Sequence, residues 1–182
     1  MKSIGTDKRG VSAIEFAMVL PFMLILLIFM EEASGTLDHN RKVSRIANSV
    51  ADLVAQGQTV TPADLKAMMH IGGKILDPYP DTNLETIVAS VTFDKKGNPA
   101  VDWSYSSKGG SSWPKGSKPP IELPDAVAKP LTSIVVTQAN LKYAPPFAGI
   151  FTDYFARDSL IDLSDTFYLR PRLTDTVKCP DC

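Results

Sequence analysis

The stretch that decides the fold is Lys8-Arg9-Gly10-Val11-Ser12-Ala13-Ile14-Glu15-Phe16, which leads into an apolar segment ending at Met30. From Phe16 to Met30 no side chain is charged. About twenty residues counted from Val11, at roughly 1.5 Å each, form a helix of about 30 Å, which is long enough to cross a bilayer. The pattern therefore predicts a membrane helix with one carboxylate, Glu15, inside it, at a cost of about 3 kcal/mol.

Two simpler interpretations of this segment are also open. A secretory signal peptide has an apolar core of about 7–15 residues and ends at a small-x-small cleavage site. Ala33-Ser34-Gly35 is a loose match to such a site. A plain single-pass anchor needs only the length of the segment, and it gives no reason for Glu15 or for the sharp boundary at Gly10.

The order of residues in Gly10-Val11-Ser12-Ala13-Ile14-Glu15-Phe16-Ala17-Met18-Val19-Leu20-Pro21 resembles one known family. The pattern G-x-x-A-x-E-F-A-x-x-x-P is typical of TadE/TadG-like pseudopilins, the minor pilins of tight-adherence (Flp) pilus systems. The segment Phe167-Tyr168-Leu169-Arg170-Pro171-Arg172 is similar, more weakly, to a C-terminal element of the alphaproteobacterial members. The resemblance covers most of the chain, and its specific part is the N-terminal motif.

The resemblance implies a processing site and an assembly site. A prepilin peptidase would remove residues 1–10 by cutting between Gly10 and Val11, so that Glu15 becomes the fifth residue of the mature chain. In this family the carboxylate attracts the freed N-terminal amine of a neighbouring subunit. Phe16 and Pro21 are implied to take part in the same helix assembly. The alternative for Glu15 is a carboxyl group that is protonated or reaches toward the lipid headgroups.

Charge around the segment predicts its orientation. Lys2, Lys8 and Arg9 precede the span, and basic residues next to the first helix tend to stay in the cytoplasm. We therefore expect an inner-membrane protein with a single pass, a cytoplasmic N-terminus and a periplasmic C-terminal domain. The implied partners are the prepilin peptidase, other pilins or pseudopilins, the pilus assembly platform and membrane lipid, and the product could enter an extracellular pilus.

Apolar periodicity continues beyond the membrane segment. Leu37, then residues 43–54, show a stripe at spacings of three and four, which predicts one helix from Val11 to about Gln56, with an interruption allowed near Ser34-Gly35. Pro21 is expected to kink it. Thr61-Pro62 and Asp64 are typical of the start of a second helix. Gly57 is expected to stop the first helix.

The rest of the chain predicts a small sheet. Strands are expected at 86–93, 100–105, 133–143 and 166–173, and residues 106–120 read as a long polar surface loop around Trp113. The fold class is therefore α+β, a long N-terminal helix on a small, mostly antiparallel sheet, as in pilins. The predicted organisation is a leader (1–10), a transmembrane helix (11–32), its amphipathic extension (33–57) and a periplasmic domain (58–182).

Cys179-Pro180-Asp181-Cys182 is the second chemical candidate. This spacing suits a local disulfide in an oxidising periplasm, and free thiols, an intermolecular bridge, a redox pair or half a zinc site are the alternatives. Zinc needs further ligands, and His39 and His70 are isolated in the sequence. Arg170 and Arg172 alternate in the expected last strand and could pair with another subunit or face solvent.

Composition points away from several classes of function. The chain of 182 residues has 19 basic and 20 acidic side chains and a net charge of −1, without the basic patch that nucleic-acid binding requires. No nucleophile–base arrangement, phosphate-binding loop or metal motif stands out, so we expect no enzyme, no cofactor, no metal and no small-molecule substrate.

Overall fold

The structure, a computed structural model, describes residues 9–147 and 160–182. Its elements are helix α1 (Arg9–Ala55), helix α2 (Pro62–Gly73) and strands β1 (Leu84–Phe93), β2 (Pro99–Ser106), β3 (Ser133–Tyr143) and β4 (Ile161–Leu169). The α+β expectation is confirmed. The chain divides into two compact units, one containing α1 up to Leu37 and the other containing residues 38–143 and 160–182, which we call the sheet unit. Residues 1–8 of the expected leader lie outside the described range.

Helix α1 is a single element of 47 residues, about 70 Å long. It continues through Pro21 and through Ser34-Gly35, so the interruption that the sequence allowed does not occur. Within it the hydroxyl of Thr36 donates a 2.8 Å hydrogen bond to the carbonyl of Glu32, one turn earlier. The helix ends at Ala55, two residues before Gly57, as expected; the φ angle of Gly57 is not positive, so this glycine is not a left-handed cap.

The part of α1 in the sheet unit buries one face. Eight of its side chains are nearly inaccessible, which agrees with a helical stripe: His39, Val43, Ile46, Ala47, Val50, Ala51, Val54 and Ala55. On its flank the hydroxyl of Ser44 hydrogen-bonds the carboxylate of Asp165 on β4.

Helix α2 starts at the expected cap. Thr61 accepts a 3.2 Å hydrogen bond from the backbone N–H of Asp64, and the Asp64 carboxylate accepts one of 3.0 Å from the N–H of Thr61. The Thr61 hydroxyl also donates a 2.7 Å hydrogen bond to the Asp64 carboxylate, and this bond, followed by the one from the Thr61 N–H, lowers the pKa of Asp64. The helix then packs closely on α1, because Gly72 is buried against Val50: a Cβ atom at Gly72 would lie 2.5 Å from Val50 Cγ2.

The four strands form one antiparallel sheet in the order β2-β1-β3-β4. The register pairs Val88 with Thr137 and Thr137 with Phe167. Between β1 and β2 the register shifts after Ser90, so Asp102 lies in a bulge. Its carboxylate accepts hydrogen bonds from Ser90 (2.9 Å) and Thr92 (2.7 Å), which satisfy a polar group at the edge of the core.

The sheet is buried on both faces. One face packs under α1 and α2 through Val88, Trp103 and Val135. The other face is covered by residues 113–128, where Trp113 is only 4 % exposed. Most of residues 106–120 are exposed, as expected for a surface loop, whereas Trp113 within this loop packs onto the sheet.

The last strand differs from its prediction. It spans Ile161–Leu169 instead of 166–173, so Arg170 and Arg172 lie beyond it and do not alternate along its face. Arg172 forms an ion pair with Asp52 of α1, and its N–H donates a 2.9 Å hydrogen bond to the carbonyl of Ala55. Pro171 explains the early end, because proline cannot donate to a ladder. Arg170 is exposed.

Candidate functional site

The first candidate site is the apolar part of α1. From Gly10 to Met30 every residue is exposed except Ile28, which is half-buried. Large apolar side chains are among them, with Met18 70 % and Phe22 69 % exposed. In water such a surface would be strongly unfavourable, since roughly 25 cal/mol is lost per Å² of exposed apolar area. This part of α1 is long and apolar enough to cross a membrane.

Glu15 lies in the N-terminal part of this surface. Of its neighbours one turn away on α1, Val11, Met18 and Val19 are exposed and apolar, and the fourth is Ser12. The carboxylate therefore has a mainly apolar surround on its own helix and is itself exposed. Such a group requires a polar partner from outside the helix, a protonated state, or access to the headgroup region.

Gly10 makes no packing contact. A Cβ atom built on Gly10 would meet nothing within 4 Å, and the residue lies in the first turn of α1. A side chain at this position would therefore fit the fold of the described residues. Packing among the described residues gives no reason for glycine here, and the Gly10–Val11 bond lies in the first described turn of α1.

Phe16 and Pro21 share the exposed apolar part of α1 with Glu15. Phe16 is 61 % exposed, so it is available to a lipid chain or to another helix. Pro21 lies inside the helix, where its ring removes one backbone hydrogen-bond donor. The structure thus places all five processing and assembly candidates along about three turns of one helix.

The second candidate is the C-terminal cysteine pair. Cys179 and Cys182 are joined by a disulfide. The residues before it are held firmly: Lys178 exchanges backbone hydrogen bonds with Gln58 (3.1 Å) and Val60 (2.9 Å), and Trp103 Nε1 donates a 2.8 Å hydrogen bond to the carbonyl of Val177. The disulfide therefore closes a short loop directly after residues 177–178, which are hydrogen-bonded to the rest of the sheet unit. It belongs to a different unit from Glu15.

The sequence did not indicate an aromatic cluster in the sheet unit. His39, 4 % exposed, stacks on Tyr143 with ring centroids 4.0 Å apart and contacts Tyr79 at 4.1 Å. Lys42 lies 4.6 Å from the centre of the Tyr79 ring and donates to the carbonyls of Leu76 (3.3 Å) and Asp77 (2.9 Å). These contacts join α1, the segment 76–79 that follows α2, and β3. Only the helical spacing of His39 with Val43 could have indicated its burial.

No group of three or more histidine, cysteine or acidic side chains within residues 9–147 and 160–182 is arranged to hold a metal ion. One side chain of the sheet unit has a shifted pKa: burial, and then the charge of Asp165, raise the pKa of Tyr168, a half-buried phenol on β4.

Searches with this chain against protein-family models, curated proteins and solved structures find no match.

Proposed function

We propose that this chain is a minor pilin or pseudopilin of a tight-adherence pilus system, processed by a prepilin peptidase after Gly10 and assembled through α1. The proposal rests mainly on one uninterrupted helix, α1, whose first part is exposed and whose second part is buried on one face. Its first part presents a bare apolar surface around Glu15, and its second part forms the core of an α+β unit. A helix of this kind can leave a bilayer and enter an assembly without refolding the domain.

The proposed mechanism has two steps. Cleavage of the Gly10–Val11 peptide bond by water releases residues 1–10 and leaves a free amine on Val11. In an apolar surround of low dielectric constant, this amine and the Glu15 carboxylate of a neighbouring subunit attract each other strongly, which offsets the cost of removing both charges from water. The exposed position of Glu15 among apolar side chains supports this role.

The proposed location is the inner membrane, with the N-terminus in the cytoplasm and the sheet unit in the periplasm. An oxidising periplasm agrees with the Cys179–Cys182 disulfide. The size of the α+β unit favours an accessory role in initiating, regulating or capping the pilus, since the resemblance implies a far smaller major subunit. The rival proposal is an unprocessed, single-pass periplasmic binding or envelope protein.

The deciding experiment determines the mature N-terminus of the full chain by intact mass and terminal sequencing. The chain is taken from cells with and without the prepilin peptidase. A start at Val11 that depends on the peptidase supports the proposal. A start at Met1 in both strains refutes it and leaves the plain anchor. A start near Gly35 would indicate a secretory signal.

Two variants separate processing from assembly. Gly10→Arg should abolish cleavage, and because nothing lies near a Cβ at Gly10, the sheet unit should fold as before. Glu15→Leu should be cleaved normally but fail to co-purify with pilus components. Glu31→Leu, which also removes an exposed acid from α1, is the matched control and should assemble. Normal assembly of Glu15→Leu would refute the role of this carboxylate.

A further inference from the structure

Leu131 combines two unfavourable features. Among the described residues it is the only one other than glycine with a positive φ angle, 58°. The left-handed conformation brings Cβ close to the backbone, so residues with large side chains rarely adopt it. Its side chain is also 72 % exposed, more than any other large apolar side chain of the sheet unit. Glycine would suit the left-handed backbone conformation at position 131, and a polar residue would suit its exposed side chain.

The turn around Leu131 is held rigidly against the end of β1. The N–H of Leu131 donates to the carbonyls of Phe93 (3.2 Å) and Asp94 (3.4 Å). The N–H of Phe93 donates in return to the carbonyl of Thr132 at 2.9 Å, and the Thr132 hydroxyl donates to the carbonyl of Lys129 at 2.7 Å. The exposed leucine is thus presented by a fixed backbone, as a preorganised contact would be.

The surround of Leu131 is positively charged. Lys95 and Lys96 follow in the adjoining β1–β2 turn, Lys129 precedes the leucine by two residues, and all three are exposed. Asp94, in the same turn, accepts hydrogen bonds from Asn98 Nδ2 (2.9 Å) and from the N–H groups of Asn98 (2.8 Å) and Lys96 (2.7 Å). No ion pair between described residues uses any of the three lysines, so their charges are available to a partner.

An apolar groove begins beside this turn. It has a volume of about 530 Å³, and Phe93, whose carbonyl binds Leu131, is part of its wall. Lys118 and Glu122, of opposite charge, are among its lining residues. Its other walls are apolar and include Pro99, Pro119, Pro120, Ile121 and Leu123.

We propose that Leu131, Lys95, Lys96, Lys129 and the adjoining groove form a docking surface, here named the Leu131 surface, for an acidic protein segment with apolar side chains. The groove would receive apolar side chains of that segment, Leu131 would pack beside them, and the lysines would pair with flanking carboxylates. The surface is made of residues of the sheet unit alone, so the proposal does not depend on processing or on Glu15.

The test places a photo-crosslinking amino acid at position 131 of the full chain, in the cells that produce it. The matched control position is Ile71, which is 62 % exposed on α2. We expect an adduct from position 131 that position 71 does not give. Mass spectrometry should map it to a protein segment in which apolar residues are flanked by Asp or Glu. The Lys95→Glu/Lys96→Glu variant should lower the adduct yield about tenfold, because it places like charges opposite each other.

Three results would overturn the proposal: equal adducts at positions 131 and 71, an adduct with a segment that lacks carboxylates, or an adduct with lipid or nucleic acid. Leu131→Asn provides a second measurement, since asparagine tolerates the left-handed conformation. It should keep the melting temperature and lose the co-purification of the mapped protein. Retention of that protein would also refute the surface. The N-terminus is sequenced in the same cells, so that a failure here is distinguished from a failure of processing.

Discussion

Replacing Gly72 by alanine should destabilise the sheet unit, although alanine is the better helix former. In the interior of a helix the change from glycine to alanine contributes about 1 kcal/mol of stability. Here the new Cβ would lie 2.5 Å from Val50 Cγ2, about 1.0–1.5 Å inside the ordinary contact distance of about 3.5–4.0 Å. Val50 is fully buried and β-branched, so its side chain has almost no other rotamer on a helix.

Inserting a methyl group into a packed site of this kind costs about 1–3 kcal/mol. The net effect is therefore a loss of about 1 kcal/mol in the free energy of unfolding. The assay is denaturant unfolding of the full chain in detergent, followed by the fluorescence of the two buried tryptophans, Trp103 and Trp113. The dependence of the unfolding free energy on denaturant concentration should be the same in each variant as in the wild-type chain. A shift of the denaturant midpoint then reports a change in stability.

Gly73→Ala is the matched control. The nearest atom to its Cβ would be Asp81 Oδ2, at an ordinary 3.6 Å, so this variant should gain about 0.5–1 kcal/mol. In a Val50→Ala background the clash is removed, and Gly72→Ala should become neutral or stabilising. The reasoning is refuted if Gly72→Ala is as stable as Gly73→Ala, or if its loss persists in the Val50→Ala background.

Three further changes test other parts of the fold. Thr61→Ala removes the side chain that caps α2 and should cost about 1 kcal/mol in the unfolding assay. Hydrogen bonds, the largest from the Asn98 side chain, lower the pKa of Asp94 in the folded state. This carboxylate therefore stabilises the fold above its unfolded pKa of about 4, and the contribution is lost as the pH falls through the folded pKa. Asp94→Asn should accordingly flatten the loss of stability below about pH 4, measured as denaturation midpoints from pH 3 to 7. Trp113→Ala should cost about 3–5 kcal/mol, because the ring is buried on the sheet; a loss below about 1 kcal/mol would contradict that packing.

Elements with strong local signals could be predicted from the sequence. The apolar stripe of α1 and the Thr61–Asp64 cap of α2 depend on residues three or four apart, and both are present in the structure. The run 133–143 was predicted with its observed ends, because β-branched residues and a following Pro145-Pro146 mark it clearly. The motif around Gly10 and Glu15 was equally local, and its function stays a prediction.

Elements whose signal is spread over the chain were missed. Strand β4 begins at Ile161 among Asp162, Ser164 and Asp165, a polar pattern that only its pairing with β3 makes extended. Trp113 lies in a segment of serine, glycine and lysine, and nothing near it in sequence shows that it covers a sheet face. Arg172 pairs with Asp52, a residue 120 positions earlier, which no spacing rule could have identified.

The sequence by itself determined the length of α1, the apolar character of its first part and the position of Glu15, because these follow from consecutive residues and the period of the helix. The tertiary structure decided which glycine is required, which side chain of a polar loop is buried and which leucine is held exposed. Gly72, Trp113 and Leu131 each depend on atoms that are distant in sequence. Close packing and hydrogen bonding act through space, so such contacts become visible only once the chain has folded.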